Sequence, residues 1–520
     1  MSDHLAHSHC NCCGSSRSCP DHANSGLNRR SFISSCGAIT AGGFALSTLS
    51  AATSYAKDPV RIGPIRSLLK VQPVLTYSVP QRREGTSWRS WGAIQTEQDA
   101  SQERDRISEE LKDLQNKADF PVEILPVVSV QNSEQAAKVA KGDHDVLVMY
   151  AAGSGGDTLE ALTNPDKWTL VFLRHKSGPV YLWYEIISNR FLRKTVDEFG
   201  QPGVDTKDVI VDRPDEILWR LRALSGLKNT MNKSVVCIGG PSGWGHGGQA
   251  APQHTRDIFK MNLIDFTYDD LGKRIQAAKQ NKTLVKWCNE EAQKYLKQDG
   301  ITLDTSETFV TKAFLLTEVF HQILKECNTD AITINSCMGT IMQVSETTAC
   351  LPLSLLNDDG YLAFCESDFV VIPSGILLHY ISGKPSFLQD PTYPHDGIVT
   401  LAHCTAPRKM DGENYEPAKI LTHFESDWGA APKVEMKLGQ KITVIDPDFN
   451  FKQWNGFEAE IIDNPFLDIC RSQIDVQFKC DTDKLNEETK GFHWMLCYGN
   501  YLKETEYAVR KAGMKWLTLS

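Results

Sequence analysis

Beyond residue 56 the chain contains no apolar run long enough to cross a bilayer, which excludes a polytopic helical membrane protein. It has no cluster of Lys and Arg of the kind that follows a phosphate backbone. The net charge of −10 points the same way, so nucleic acid is excluded as a partner. No G-x-S-x-G elbow and no Cys–His signature can be placed, which leaves a hydrolase triad without support. Two Gly-rich stretches, "AAGSGGDT" (151–158) and "GGPSGWGHGG" (239–248), match neither G-x-G-x-x-G nor a phosphate loop. The second follows an apolar run, so its backbone N–H groups suit an anion cradle or a tight turn of positive φ; neither implies a nucleotide. No internal repeat is visible. Of 15 cysteines, five lie in the first 36 residues. The others, Cys237, Cys288, Cys327, Cys337, Cys350, Cys365, Cys404, Cys470, Cys480 and Cys497, show no C-x-x-C spacing. Most have apolar neighbours, the pattern of buried thiols.

What is present suits a globular chain of more than one domain: 520 residues, 41% apolar and 23% charged. The first segment is not part of the fold. Arg29 and Arg30 are followed by Phe32 and by an uncharged Gly/Ala/Ser/Thr run to Ala56, and "SYA" (54–56) supplies small residues before a cleavage point. This resembles a twin-arginine export signal and predicts a signal peptide over 1–56, the twin-arginine translocase as a transient partner, and a mature protein in the periplasm or otherwise outside the cytoplasmic membrane. The opening "HLAHSHCNCCGSSRSCPDH" carries soft-metal donors, but it precedes the signal and reads as a dispensable leader.

The mature chain alternates strand-like and helix-like segments. "PVLTYSV", "VEILPVVSV", "DVLVMYAAG" and "TLVFLRH" are strands, with helices at 95–117 and "SEQAAKVA" between them. A second block starts near Val209, with strands "SVVCIGG" and "AITINSC" and helices around 269–296 and 304–327, the latter capped by Asp304 and Glu307 in "DTSE". Short strands with Gly and Pro turns then follow, and a helix ended by Gly513 precedes a last strand. The expected fold is α/β: two doubly wound domains, 57–204 and 205–350, followed by a β-rich domain, 351–520.

In "YLAFCESDFVV" (361–371) two carboxylates interrupt an apolar run. On a strand beginning at Tyr361, after the turn "NDDG", Glu366 and Asp368 share one face. Two buried like charges need a compensating cation, a shared proton or an Arg such as Arg471. His403 in "GIVTLAHC" and His493 in "GFHWMLCYGN" sit at the margins of apolar runs. Each alone suits a core histidine; with Glu366 and Asp368 they form a donor set for a divalent ion such as Mn²⁺ or Zn²⁺.

The order of domains, "CESD", "HC" and "FHWMLCYGNYLKETEYAVRKAGMKW" resemble the L-fucose isomerase family. The resemblance implies a metal-dependent aldose–ketose isomerase acting on an open-chain carbohydrate through an ene-diol, with Mn²⁺ as cofactor. It implies that Asp368 and His493 are metal ligands and that Glu366, with Asp368, is catalytic. The family's third ligand is a Glu on the preceding helix. Here Cys350 lies closest to that register in "SETTACLPLSLLNDDG", with Glu346 as the substitute. The resemblance also implies a homo-oligomer, a hexamer in the family, whose sites take first-domain residues from a neighbour. Trp88 and Arg89 in "VPQRREGTSWRSWG" suit such a boundary or substrate rim, and Trp244 and His246, with His403, suit the cleft. The rival expectation is an exported carbohydrate-binding protein or an inactive isomerase relative, which export itself and Cys350 favour.

Overall fold

The computed structural model describes residues 66–181, 191–192 and 203–520. The paired arginines, the Cys/His leader and the expected cleavage point lie outside them. The described chain is mixed α/β, with two parallel-sheet units and a C-terminal antiparallel barrel.

The first sheet is built from β1 (Leu69–Thr76), β2 (Val122–Ile124), β3 (Val128–Val130), β4 (Val146–Ala151), β5 (Trp168–Leu173) and β6 (Val209–Val211). All its pairs are parallel, in the order β2-β1-β4-β5-β6, with β3 also on β1. β4 is buried at every position, as a strand covered on both faces must be. The stretch "VEILPVVSV", expected as one strand, divides at Pro126, whose nitrogen cannot donate to a ladder. The helix Glu97–Lys117 starts where Thr96 and Asp99 form a capping box, and it buries Ala100, Ile107, Leu111 and Leu114.

The second sheet holds β7 (Ser234–Ile238), β8 (Asn262–Phe266), β10 (Ala331–Ile334) and β11 (Leu362–Cys365), in the parallel order β11-β10-β7-β8. β11 therefore belongs to this sheet, although it lies beyond the boundary expected at 350. β9 (Ile301–Asp304) leaves the sheet altogether. The next helix, Glu307–Glu326, is capped by Ser306, whose hydroxyl accepts from Thr308 N. The expected cap, Asp304, ends β9 and pairs with Lys419 at 2.8 Å.

The last third contains β12 (Ser386–Pro391), β13 (Ile398–His403), β14 (Ala418–His423), β15 (Trp428–Val434), β16 (Lys441–Pro447), β17 (Gln453–Asp463), β18 (Ser472–Phe478), β19 (Trp494–Tyr498) and β20 (Lys515–Thr518). The order β16-β19-β12-β13-β18-β17 closes on itself through a further β16–β17 ladder, all antiparallel. Closure leaves no free edge in the ring. Phe457, Trp494 and Leu496 pack in its core. β20 adds in parallel on β17, and β9 adds in parallel to the β14–β15 hairpin. The helix Ile372–Ser382, buried throughout, packs against the helix Asp215–Thr230 and against β12 and β19. It ties the loop after β11 to the barrel wall. Among the described residues no helix is long and apolar enough to cross a membrane.

Candidate functional site

Parallel sheets present their ligand-binding loops beyond the carboxyl ends of their strands. Two such loops meet here, the Gly-rich segment after β7 and the turn after β11. Ser242 N donates to Ser367 O at 3.2 Å, and Phe369 N donates to Ser242 O at 3.0 Å. The barrel brings the other half: Asp390 near the end of β12, His403 at the end of β13 and His493 just before β19.

The Glu-x-Asp pair is not on a strand, contrary to the alternation expected from Tyr361 onward. β11 stops at Cys365, and Glu366 and Ser367 adopt left-handed φ of 66° and 51°. Non-glycine residues hold such values at a cost of roughly 1–3 kcal/mol each, and they concentrate at functional turns. Ser367 N, donating to Thr333 Oγ1 at 3.1 Å, helps hold the turn. The bend sends the two carboxylates to opposite sides of one imidazole. His493 Nδ1 lies 2.6 Å from Asp368 Oδ2, and its Nε2 lies 3.3 Å from Glu366 Oε2. The like charges are thus separated by a ring that can carry the opposite sign. Arg471, the alternative counter-charge, instead donates to Thr422 O at 2.7 Å.

Asp368 is fully engaged by protein. Its Oδ1 accepts from Trp244 N and Val370 N, both at 3.0 Å, and its Oδ2 takes His493. Expected as a metal ligand, it stands instead behind the imidazole, where it fixes the tautomer and leaves Nε2 facing the cluster. Asp390 links the two histidines. Its Oδ1 is 3.2 Å from His493 Nε2 and its Oδ2 is 3.2 Å from His403 Nδ1. His493 Nε2, His403 Nε2 and Asp390 Oδ1 are buried without a hydrogen bond of good geometry. Such a convergence of unsatisfied polar atoms suits an ordered water or a bound ion.

Electrostatics follow from this arrangement. Burial alone would lower the pKa of His403, but the charge and hydrogen bond of Asp390 raise it to about 10. His493 is likewise raised well above its ordinary value: burial opposes, and Asp368, Asp390 and Glu366 prevail. Burial would raise Asp390, yet the two imidazoles hold it below the usual carboxylate range. His423, buried near the positive charges of His403 and Arg471, is pushed down to about 4.

Thiols ring the cluster. Cys365 Sγ is 3.6 Å from Cys337 Sγ, and Cys470 Sγ is 3.8 Å from Asp390 Oδ2. Cys350, Cys404 and Cys470 share a small apolar patch, in which Arg471 N donates to Cys404 Sγ at 3.4 Å. Donor atoms of Cys365, Glu366 and His403 all lie within 4.8 Å of one another, as do those of Asp390, His403 and Cys470. At the rim the ring of Trp244 stacks on Phe492 at 4.7 Å and meets His493 edge-on at 6.0 Å.

The structure thus brings together Glu366, Asp368, His403, His493 and Trp244. Glu346 stands elsewhere: half-exposed, it pairs with Lys279 at 2.9 Å and Lys312 at 2.7 Å, which pull its carboxyl down to about 2. It is no part of the donor set. Trp88 and Arg89 contact each other on a first-domain loop, with the guanidinium 5.4 Å from the ring centroid. Asp390 and Cys470 escape the sequence patterns above. For Asp390 the signal was available, since "SFLQDP" interrupts an apolar run with a carboxylate just as "CESD" does. No protein-family model matches the chain, and no curated protein sequence is similar to it.

Proposed function

We propose that this cluster holds a divalent cation and that the chain is a metal-dependent aldose–ketose isomerase, or a diverged enzyme on that scaffold. One observation carries the reading. His493 Nε2, Asp390 Oδ1 and the Glu366 carboxylate converge, while Asp368 occupies the far nitrogen of the same imidazole. An imidazole with a carboxylate behind it and two carboxylates before it is the donor chemistry of a catalytic cation site. When bound, the cation would polarise the carbonyl of an open-chain sugar and neutralise the neighbouring oxygen.

The remaining roles belong to the chain. Glu366 turns Oε2 toward His493, and its other oxygen is the acid/base that moves a proton between C1 and C2; its side chain is 26% exposed, against 3% for Asp368, so it alone of the pair reaches a substrate. Asp368 is a positioning residue. Trp244, 37% exposed and stacked on Phe492, offers an aromatic face for sugar C–H groups.

The same rim supports a second reading, a carbohydrate-binding protein without turnover. The experiment that separates them incubates the metal-loaded protein with a panel of aldoses in D₂O. Deuterium entering C2, and lost in Glu366→Gln, supports the isomerase. Saturable sugar binding with no exchange for any aldose rejects it in favour of the binding protein.

A further inference from the structure

We propose that the cation at this cluster is bound through sulfur. It is a borderline, thiol-tolerant ion of the Zn²⁺ and Co²⁺ class, held by Cys365, His403 and Glu366, rather than Mn²⁺ in an oxygen-rich cage. The inference rests on the cation site proposed above and concerns which donors fill it.

Three observations point to sulfur. The first is spacing. Zn–S bonds of about 2.3 Å and Zn–N or Zn–O bonds of about 2.0–2.2 Å set neighbouring tetrahedral donors roughly 3.3–3.8 Å apart. Donor atoms of Cys365, Glu366 and His403 are already mutually within 4.8 Å, close enough for side-chain rotation to close the set. Cys337 Sγ, 3.6 Å from Cys365 Sγ, lies outside this set of three and adds a second sulfur beside it.

The second is an orphaned atom. His403 is 3% exposed, and its Nε2 has no hydrogen bond, while Nδ1 faces Asp390 Oδ2 at 3.2 Å. A carboxylate on one imidazole nitrogen and a bare, buried second nitrogen is the carboxylate–histidine–metal arrangement. Asp390 and Asp368 thus back His403 and His493 in the same way.

The third is the chemistry of the whole surround. Cys470 lies beside Asp390 and His403, and Cys350, at the start of the helix Cys350–Asp358, stands where the resemblance leads one to expect a carboxylate. Carboxylate and water oxygens suit Mn²⁺; thiolate with imidazole selects Zn²⁺ and its neighbours.

The test uses the full chain, purified under reducing conditions, stripped with chelator and titrated with Co²⁺. A thiolate-to-Co²⁺ charge-transfer absorption in the near ultraviolet is expected at one equivalent. Zn²⁺ should abolish it and equimolar Mn²⁺ should not. Cys365→Ser should remove most of the band and weaken Zn²⁺ binding by at least the ~10–100-fold that an outer-shell loss costs. Glu346→Gln should leave both unchanged. The wild-type spectrum needs no variant, so a misfolded Cys365→Ser does not rescue the proposal. Co²⁺ that binds with ligand-field bands alone overturns sulfur ligation and leaves an oxygen–imidazole cation site standing. Failure of Co²⁺, Zn²⁺ and Mn²⁺ alike to bind overturns both. A thiolate-bound ion in a protein that exchanges no sugar proton upholds sulfur ligation and removes the isomerase.

Discussion

Replacing Asp368 by Asn tests the positioning role directly, because each oxygen of this side chain has a known partner. Oδ1 accepts two backbone N–H groups at 3.0 Å, and an Asn carbonyl can keep both. Oδ2 faces His493 Nδ1 at 2.6 Å, and an Asn amide would set a donor against a donor. The ring must then give up its Nδ1 proton and carry it on Nε2, toward Glu366 and Asp390. A hydrogen bond to a charged group contributes about 1.5–3 kcal/mol, and a buried site gives the upper part of that range. The metal-free variant should therefore unfold about 2–3 kcal/mol more easily in urea. Cation affinity should fall about 10–100-fold, because the proton moved to Nε2 faces Glu366 Oε2, 3.3 Å away, and competes with the cation for that carboxylate. Urea denaturation of chelator-treated wild type and variant, paired with metal titration, reads both quantities. A variant within about 0.5 kcal/mol of wild type that binds metal equally well would refute the claim that Asp368 sets the tautomer of His493.

Asp358 is pushed up to about 7 by burial, so between pH 4 and 7 the folded form holds a proton that the unfolded chain has released. Wild type therefore loses stability across that window, and Asp358→Asn should gain on it by up to about 1.4 kcal/mol per pH unit; parallel stability–pH curves would contradict this. Glu346→Gln removes two partly exposed ion pairs and should cost less than about 1 kcal/mol, with metal content unaltered by elemental analysis. Changing Arg29 and Arg30 together to Lys should leave precursor in the cytoplasmic fraction; undiminished mature protein outside would end the twin-arginine assignment. Trp88→Ala with Arg89→Ala should lower the oligomer mass in light scattering, and an unchanged mass removes the loop from any subunit boundary.

Local patterns carried much of the fold. The continuous apolar runs that mark β4 and β7, and the Thr96 cap on Glu97–Lys117, are written within a few residues of where they act. The placement of β11 is not, because an apolar strand looks the same whether it opens a barrel or edges a parallel sheet; the choice rests on its ladder with β10. Barrel closure through β16 and β17 is likewise a matter of pairing that no single stretch contains. At the site, charges set in apolar runs marked Glu366, Asp368, His403 and His493 for attention. The division of labour between them was hidden, because Trp244 N, which occupies Asp368, arrives from a loop of distant sequence. Glu346 misled for the same reason: its helix register could not reveal Lys279 and Lys312 beside it.

The excursion of β9 has a consequence for how the chain is made. Ile301 pairs with Ala418 and Asp304 with Leu421, so this strand lacks its partner until the β14 segment has been synthesised. A ribosome-bound chain that has completed the second parallel sheet still carries an unpaired edge. Such an edge is open to chaperones or to neighbouring nascent chains. Topology of this kind slows folding, since long-range loops must close before their contacts form. It also denies the second unit a life of its own: a fragment ending before β14 should aggregate where the whole chain folds.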